Sequence, residues 1–231
     1  MSMRRRLLTW VMAALLLATL GGFAGALTSQ GTQAMVFDNV HWTSAYLAAT
    51  ILAFSGVGKA SEAAVRVTRK WAAAGVACMF LGQFVWDVMA WFDWLPVPNP
   101  SDMFFLSIGP LITVGLWQTG VQRLSHAEWH AAKVDAAALL VAALAATVAI
   151  SLPRKGDASL LQLAVLAAYP ITLMMPTSLA LVLILKLRVR LSWRALLLPM
   201  ATAALTLIWG MWNLAFLTHT LVDGSVFNMS F

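Results

Sequence analysis

The chain is poor in charge, nearly without cysteine, and has no histidine deep inside an apolar run. Only 10% of its 231 residues are charged, where soluble domains carry about 25%. With 61% hydrophobic residues and a mean hydropathy of +0.82, the apolar side chains exceed what a soluble core can hide, so the expected solvent is lipid. The single cysteine, Cys78, lies within an apolar run. That excludes a disulfide framework and a cysteine zinc cluster. Haem held between helices needs axial ligands facing a bundle core, and no pair of mid-run histidines supplies them. His126 and His130 stand at i, i+4, a spacing compatible with a metal. Yet the segment reads H-A-E-W-H, with Glu128 out of place for the zincin motif, and a solvated pair on a short helical stretch is expected. His41 and His219 fall near the ends of apolar runs on one side, where they are able to approach each other. There is no P-loop, no G-x-S-x-G and no G-x-G-x-x-G. The expectation is a chain with no catalytic residue, no metal and no cofactor of its own.

What is present is a series of long uncharged runs joined by short charged loops. The short alternating segments of a β-barrel are not seen. The fold class read from this pattern is all-α, a polytopic membrane helix bundle forming one domain over 1–231. Runs of about 20 apolar residues cross a bilayer. Seven are found, at about 7–27, 42–57, 71–92, 102–120, 134–152, 158–185 and 195–217. The first follows Arg4-Arg5-Arg6, and Ala24-Gly25-Ala26 offers small residues after it, as a cleaved signal peptide would. An uncleaved anchor is the preferred reading because the chain continues as a multi-pass protein.

The loops test this count. Alternating the seven spans from a cytoplasmic N-terminus puts Arg4, Arg5, Arg6, Lys59, Arg66, Arg69, Lys70, Arg123, Lys133, Lys186, Arg188, Arg190 and Arg194 inside. Only Arg154 and Lys155 fall outside, thirteen against two of the fifteen cations. That is a strong positive-inside asymmetry. It predicts a bacterial inner-membrane protein with its N-terminus cytoplasmic and its C-terminal tail periplasmic. It also explains the net charge of +6 without nucleic acid. The partners expected are the lipid bilayer and, through the small residues Gly21, Gly22 and Gly25 and the alanine-rich run 136–149, other helices in a homo-oligomer or a larger membrane assembly. Trp42, Trp91, Trp94 and Trp212 on one side, and Trp71, Trp117, Trp129 and Trp193 on the other, are expected to anchor in the headgroup zone.

The stretch 86–110 concentrates the unusual residues. It carries Trp86 and Asp87, then Trp91 and Trp94, turns through Pro96, Pro98 and Pro100, and re-enters apolar sequence at Ser101-Asp102, which has the composition of an N-cap pair. An ionisable group inside a membrane is costly and usually functional or paired. Asp87 is the clearest case, with Gln83 one turn before it on the same helix face. A ligand pocket framed by Gln83, Trp86, Asp87, Pro98, Pro100 and Asp102 is the site expectation, with Asp87 as its buried charge. Asp135, at the start of the fifth span, reads as a carboxylate at a helix N-terminus. Pro170 and Pro176 remove two backbone donors from the middle of the sixth span and mark a conformational hinge. Tyr169 and Thr172 stand ready to satisfy the freed carbonyls.

The run K-W-A-A-A-G-V-A-C-M-F-L-G-Q-F-V-W-D, from Lys70 to Asp87, resembles a helix of the multi-pass membrane modules at the N-termini of many bacterial diguanylate cyclases and cyclic-di-GMP phosphodiesterases. In those modules a helix of the form W-x-x-x-G…G-D/W-D precedes a proline loop ending like P-S-x-A-D-x-x-Y-L, followed by Y-P-L. The corresponding residues here are Pro98, Pro100, Ser101, Asp102, Phe104, Phe105, Leu106 and Pro110, and Tyr169-Pro170 also resembles a family feature. Ser101 and Asp102 are adjacent where the family has intervening residues, and Gly109 stands where a tyrosine is expected. The resemblance implies a sensory input module for cyclic-di-GMP signalling, whose output domain carries GG(D/E)EF or E-A-L signatures not found in this sequence. Two other readings stay open. An accessory or structural subunit of a larger membrane complex fits the lack of chemistry, and a small transporter would run a polar path through Asp87, the proline-broken helix and Asn213.

Overall fold

A computed structural model describes residues 3–220; the C-terminal tail beyond them, 221–231, lies outside the described residues. Among the described residues there are eight α-helices and no strand. They are α1 (Met3–Thr28), α2 (Gly31–Val57), α3 (Ala63–Trp91), α4 (Pro100–Phe105), α5 (Ile108–Arg123), α6 (His126–Ser151), α7 (Leu160–Lys186) and α8 (Trp193–Leu217). The short α4 and α5 together make one span, and the seven resulting segments are all long and apolar enough to cross a membrane.

The sequence reading placed each span but clipped several ends. The largest correction is α2, which begins at Gly31 rather than near Trp42. Asp38, Asn39 and His41 interrupt the apolar run without interrupting the helix, because each has a protein surface to face. His41, for instance, donates from Nδ1 to the Thr19 carbonyl of α1 at 2.9 Å rather than reaching toward His219. His126 and His130 likewise stand on the first turns of the long α6, not on a separate short stretch.

Helix ends follow side-chain chemistry. Ser125 with Glu128, Ser159 with Gln162, and Asn99 with Asp102 form capping boxes at α6, α7 and α4, each satisfying amides that the helix itself leaves open. Three C-termini close through a left-handed residue that is not glycine: Asp93 after α3, Arg188 after α7 and His219 after α8. In each case the next amide reaches back to the helix, as Trp94 N–H does to the Met89 carbonyl at 3.0 Å and Val189 N–H to that of Ile184 at 3.0 Å. This is the Schellman arrangement.

Although the proline loop is where sequence peculiarities gather, the packing centre is α7. More than half of its apolar window is buried (56%), against none of that of α6. Helix α7 packs on α5, α6 and α8, while α1 packs on α2, α2 on α3, and α3 on α5. Lipid supplies no hydrophobic drive between helices, so contacts rest on close packing and interhelical hydrogen bonds. Glycines provide the first. Gly115 of α5 lies against the backbone of Thr68 in α3, and Gly109 against the Thr172 carbonyl of α7. Hydroxyls provide the second: Thr19 with Ser44 at 2.8 Å (α1–α2), Thr68 with Thr119 at 2.8 Å (α3–α5) and Thr177 with Thr202 at 2.7 Å (α7–α8). At the end of the bundle opposite the proline loop, Lys186 of α7 meets Asp135 of α6 at 2.9 Å and Arg123 pairs with Glu62. Asp135 is therefore an interhelical ion-pair partner in the third turn of α6, not a helix N-terminal carboxylate.

Both prolines of α7 sit inside an unbroken helix. Each leaves the carbonyl four residues earlier without its intrahelical donor, Leu166 for Pro170 and Thr172 for Pro176. The Leu166 carbonyl accepts from Asn213 Nδ2 of α8 at 2.5 Å. The Thr172 carbonyl is where Gly109 makes its closest approach. Neighbouring helices, rather than Tyr169 or Thr172 side chains, thus answer the prolines.

Candidate functional site

Between α2–α3 on one side and α7–α8 on the other, beneath the loop that joins α3 to α4, lies a cavity of about 330 Å³. Its walls follow helical periodicity. Met35, Asp38, Asn39, Trp42 and Tyr46 form one face of α2, and Gln83, Trp86 and Ala90 one face of α3. From α7 come Val165, Leu166 and Tyr169, and from α8 Leu205, Ile208, Trp209, Trp212 and Phe216. The loop and α4 close the end with Leu95, Val97, Asn99, Asp102 and Phe105.

The aromatic wall is itself organised. Trp209 stacks on Tyr169 with centroids 4.2 Å apart, and Trp212 meets the edge of Trp209 at 5.8 Å. Phe105 leans on Trp209 from α4 at 5.9 Å, and Trp42 stacks with Tyr46 at 5.6 Å on the opposite wall. Such pairs hold large rings in fixed orientations. Trp42 and Trp212, expected as headgroup anchors, are instead turned into the cavity wall. Trp129 is buried as well, edge-on to Trp117 at 4.8 Å with Lys133 over both rings. Trp91, Trp94 and Trp193 are exposed, as anchors would be.

The closing loop is built from its polar residues. Asn99, not Ser101 or Asp102, is the N-cap of α4: its Oδ1 accepts from the Ser101 amide at 2.9 Å. Asp102 occupies the third helical position and returns the bond, its Oδ2 accepting from the Asn99 amide at 2.7 Å. Its other oxygen accepts from the Tyr169 hydroxyl of α7. One carboxylate therefore fixes the loop to itself and to the proline-bent central helix at once. Pro100 occupies the first turn of α4, where no amide is needed, and the Val97-Pro98 peptide bond is cis.

Of the residues expected at a pocket, Gln83, Trp86 and Asp102 line this cavity and Pro98 and Pro100 shape the loop without lining it. Asp87 is one layer behind. It accepts from Gln83 Nε2 at 2.7 Å and from the Thr43 hydroxyl of α2, so it ties α2 to α3 and holds the amide of the cavity-lining Gln83. The carboxylates of the cavity wall are Asp38 and Asp102. Asp38, Asn39, Tyr46, Asn99 and Trp209 were not anticipated. The signal was available for α2, where Met35, Asp38, Asn39, Trp42 and Tyr46 recur at helical spacing once the helix is allowed to start before Trp42.

Among the described residues no group of three or more histidine, cysteine or acidic side chains comes together as a metal site. Compared with family models, with curated proteins and with solved structures, the chain finds no match.

Proposed function

We propose that this chain is a membrane-embedded input module that binds a small molecule in the aromatic cavity and passes the event on through α7. It has no chemistry of its own in this reading. The observation that carries it is the bond from Tyr169 to Asp102, which joins the lid of the cavity to α7, the helix that packs on α5, α6 and α8. A ligand shifts a two-state equilibrium only by binding one state better, and a cavity whose lid and central helix share a hydrogen bond offers that difference. The cavity size lies at the lower end of the roughly 300–1,000 Å³ typical of small-molecule sites. The cation distribution supports placing the proline loop and cavity mouth on the periplasmic side of a bacterial inner membrane. The resemblance around Trp71, Gly75, Asp87, Pro98 and Asp102 supports a cyclic-di-GMP output carried by a further domain or a partner chain.

A thermal-stability screen of the purified chain against a small-molecule library tests this. Compounds that raise the unfolding temperature of the wild type are expected to bind about tenfold or more weakly to Ile208→Trp, which fills the cavity from α8, and to alter cellular cyclic-di-GMP when the gene is expressed. A screen without hits, or hits indifferent to Ile208→Trp, contradicts the receptor reading.

A further inference from the structure

We infer that the ligand of this cavity is an organic cation with an apolar body, a quaternary ammonium or a protonated amine. The inference rests on the receptor reading above and names its ligand class. Its basis is the sign and kind of the lining groups. Among the described residues that line it, Asp38 and Asp102 are carboxylates and none is a lysine, arginine or histidine. An anion would meet only like charge there. The same cavity is lined by the rings of Trp42, Trp86, Tyr169 and Trp209, and the Tyr169 hydroxyl bonds Asp102 directly. Aromatic faces carry negative electrostatic potential, and tryptophan is the best of them at holding a cation, most of all in a desolvated site. A box of indoles and phenols beside carboxylates is the chemistry by which alkylammonium groups are recognised.

A strongly hydrated metal ion is a poor fit to the same walls. Hard cations seek six or more oxygens, and both oxygens of Asp102 are already engaged, by the Asn99 amide and the Tyr169 hydroxyl. A neutral apolar molecule would gain nothing from the acids. The occupant that uses both features carries one diffuse positive charge on a hydrocarbon frame.

The test compares two probes of one shape, benzyltrimethylammonium and its uncharged carbon isostere neopentylbenzene, by the thermal stabilisation each gives to the detergent-solubilised wild-type chain. The cation is expected to bind about tenfold or more tightly than the isostere. Benzenesulfonate, of similar bulk and opposite charge, should give no stabilisation. Asp38→Asn should shrink the preference for the cation while leaving the isostere unchanged. Equal binding of cation and isostere, or preference for the isostere or the sulfonate, overturns the cationic assignment and leaves a receptor for another ligand class. Stabilisation by neither probe also overturns the assignment, and the library screen with Ile208→Trp then decides the receptor reading separately. Because the central comparison uses the wild-type chain, a variant that fails to fold does not blunt it.

Discussion

Replacing Gly109 by alanine is expected to cost the folded bundle about 3 kcal/mol or more, the upper end of what overpacking costs. Gly109 is the second residue of α5 and is buried. A methyl group there would collide with the carbonyl carbon and oxygen of Thr172 and lie 3.1 Å from the amide nitrogen of Leu173. These are backbone atoms of α7, the helix with the most burial, so nothing can rotate aside as a long side chain would. The contact exists because Pro176 leaves the Thr172 carbonyl without its helical donor. Close approach of Cα–H groups to such a carbonyl is a weak hydrogen bond of about 0.5–1 kcal/mol, and only glycine brings the backbone near enough. The matched control is Gly210→Ala in α8, where nothing lies within 4 Å of the added atom. That change should stabilise by roughly 0.5–1 kcal/mol, the usual helical gain of alanine over glycine. Unfolding in mixed detergent and SDS measures both. If Gly109→Ala were as stable as the wild type, the close α5–α7 contact would be wrong.

The second large effect is expected at Asn213, where leucine should destabilise by about 2 kcal/mol, within the 1–3 kcal/mol cost of orphaning a buried acceptor. Asn213 is 3% exposed and donates to the Leu166 carbonyl that Pro170 frees. Leu166 is also 3% exposed, so bulk water does not take the place of that donor. The cause is checkable by a cycle. Pro170→Ala restores the amide that can bond Leu166 within α7, so in that background Asn213→Leu should be nearly neutral or stabilising. The stabilising direction arises because Asn213 Oδ1 has no partner among the described residues, and leucine removes that burden. A coupling of about 1 kcal/mol or more between the two positions is the expected result. Strict additivity would show that Asn213 serves something other than the proline.

These two sites show where sequence reasoning reached and where it stopped. The seven spans were legible because lipid demands long apolar runs, and the prolines of the sixth announced that two carbonyls needed partners. Which partners was not legible. Asn213 and Gly109 lie 47 and 63 residues from the atoms they meet, and no spacing rule links residues on different helices. Asp102 was rightly singled out as a helix-start residue, but the cap went to Asn99 because the chain turns one step earlier than the serine-aspartate pair suggests. Asp87 attracted notice as an acid in an apolar helix. Its partner Thr43 stood inside the second span, yet only packing of α2 on α3 brings the hydroxyl to the carboxylate. Trp42 and Trp212 were read as anchors because position along a helix says how deep a ring lies, not which way it points. The cavity was missed in part because hydropathy cut α2 short at Trp42, discarding the turns that carry Asp38 and Asn39.

In the route proposed from cavity to central helix, the hydrogen bond from Tyr169 to Asp102 holds the proline loop closed over the cavity. Pulsed electron paramagnetic resonance can measure this directly. With Cys78 replaced by alanine, spin labels enter at Met103 of α4 and Met211 of α8, both exposed (69% and 55%). The wild-type background is expected to give a single narrow distance distribution, and Tyr169→Phe, which deletes only the hydroxyl, a broadened or displaced one. Identical distributions in the two backgrounds would contradict a loop held by Tyr169 and, with it, the route proposed from cavity to central helix.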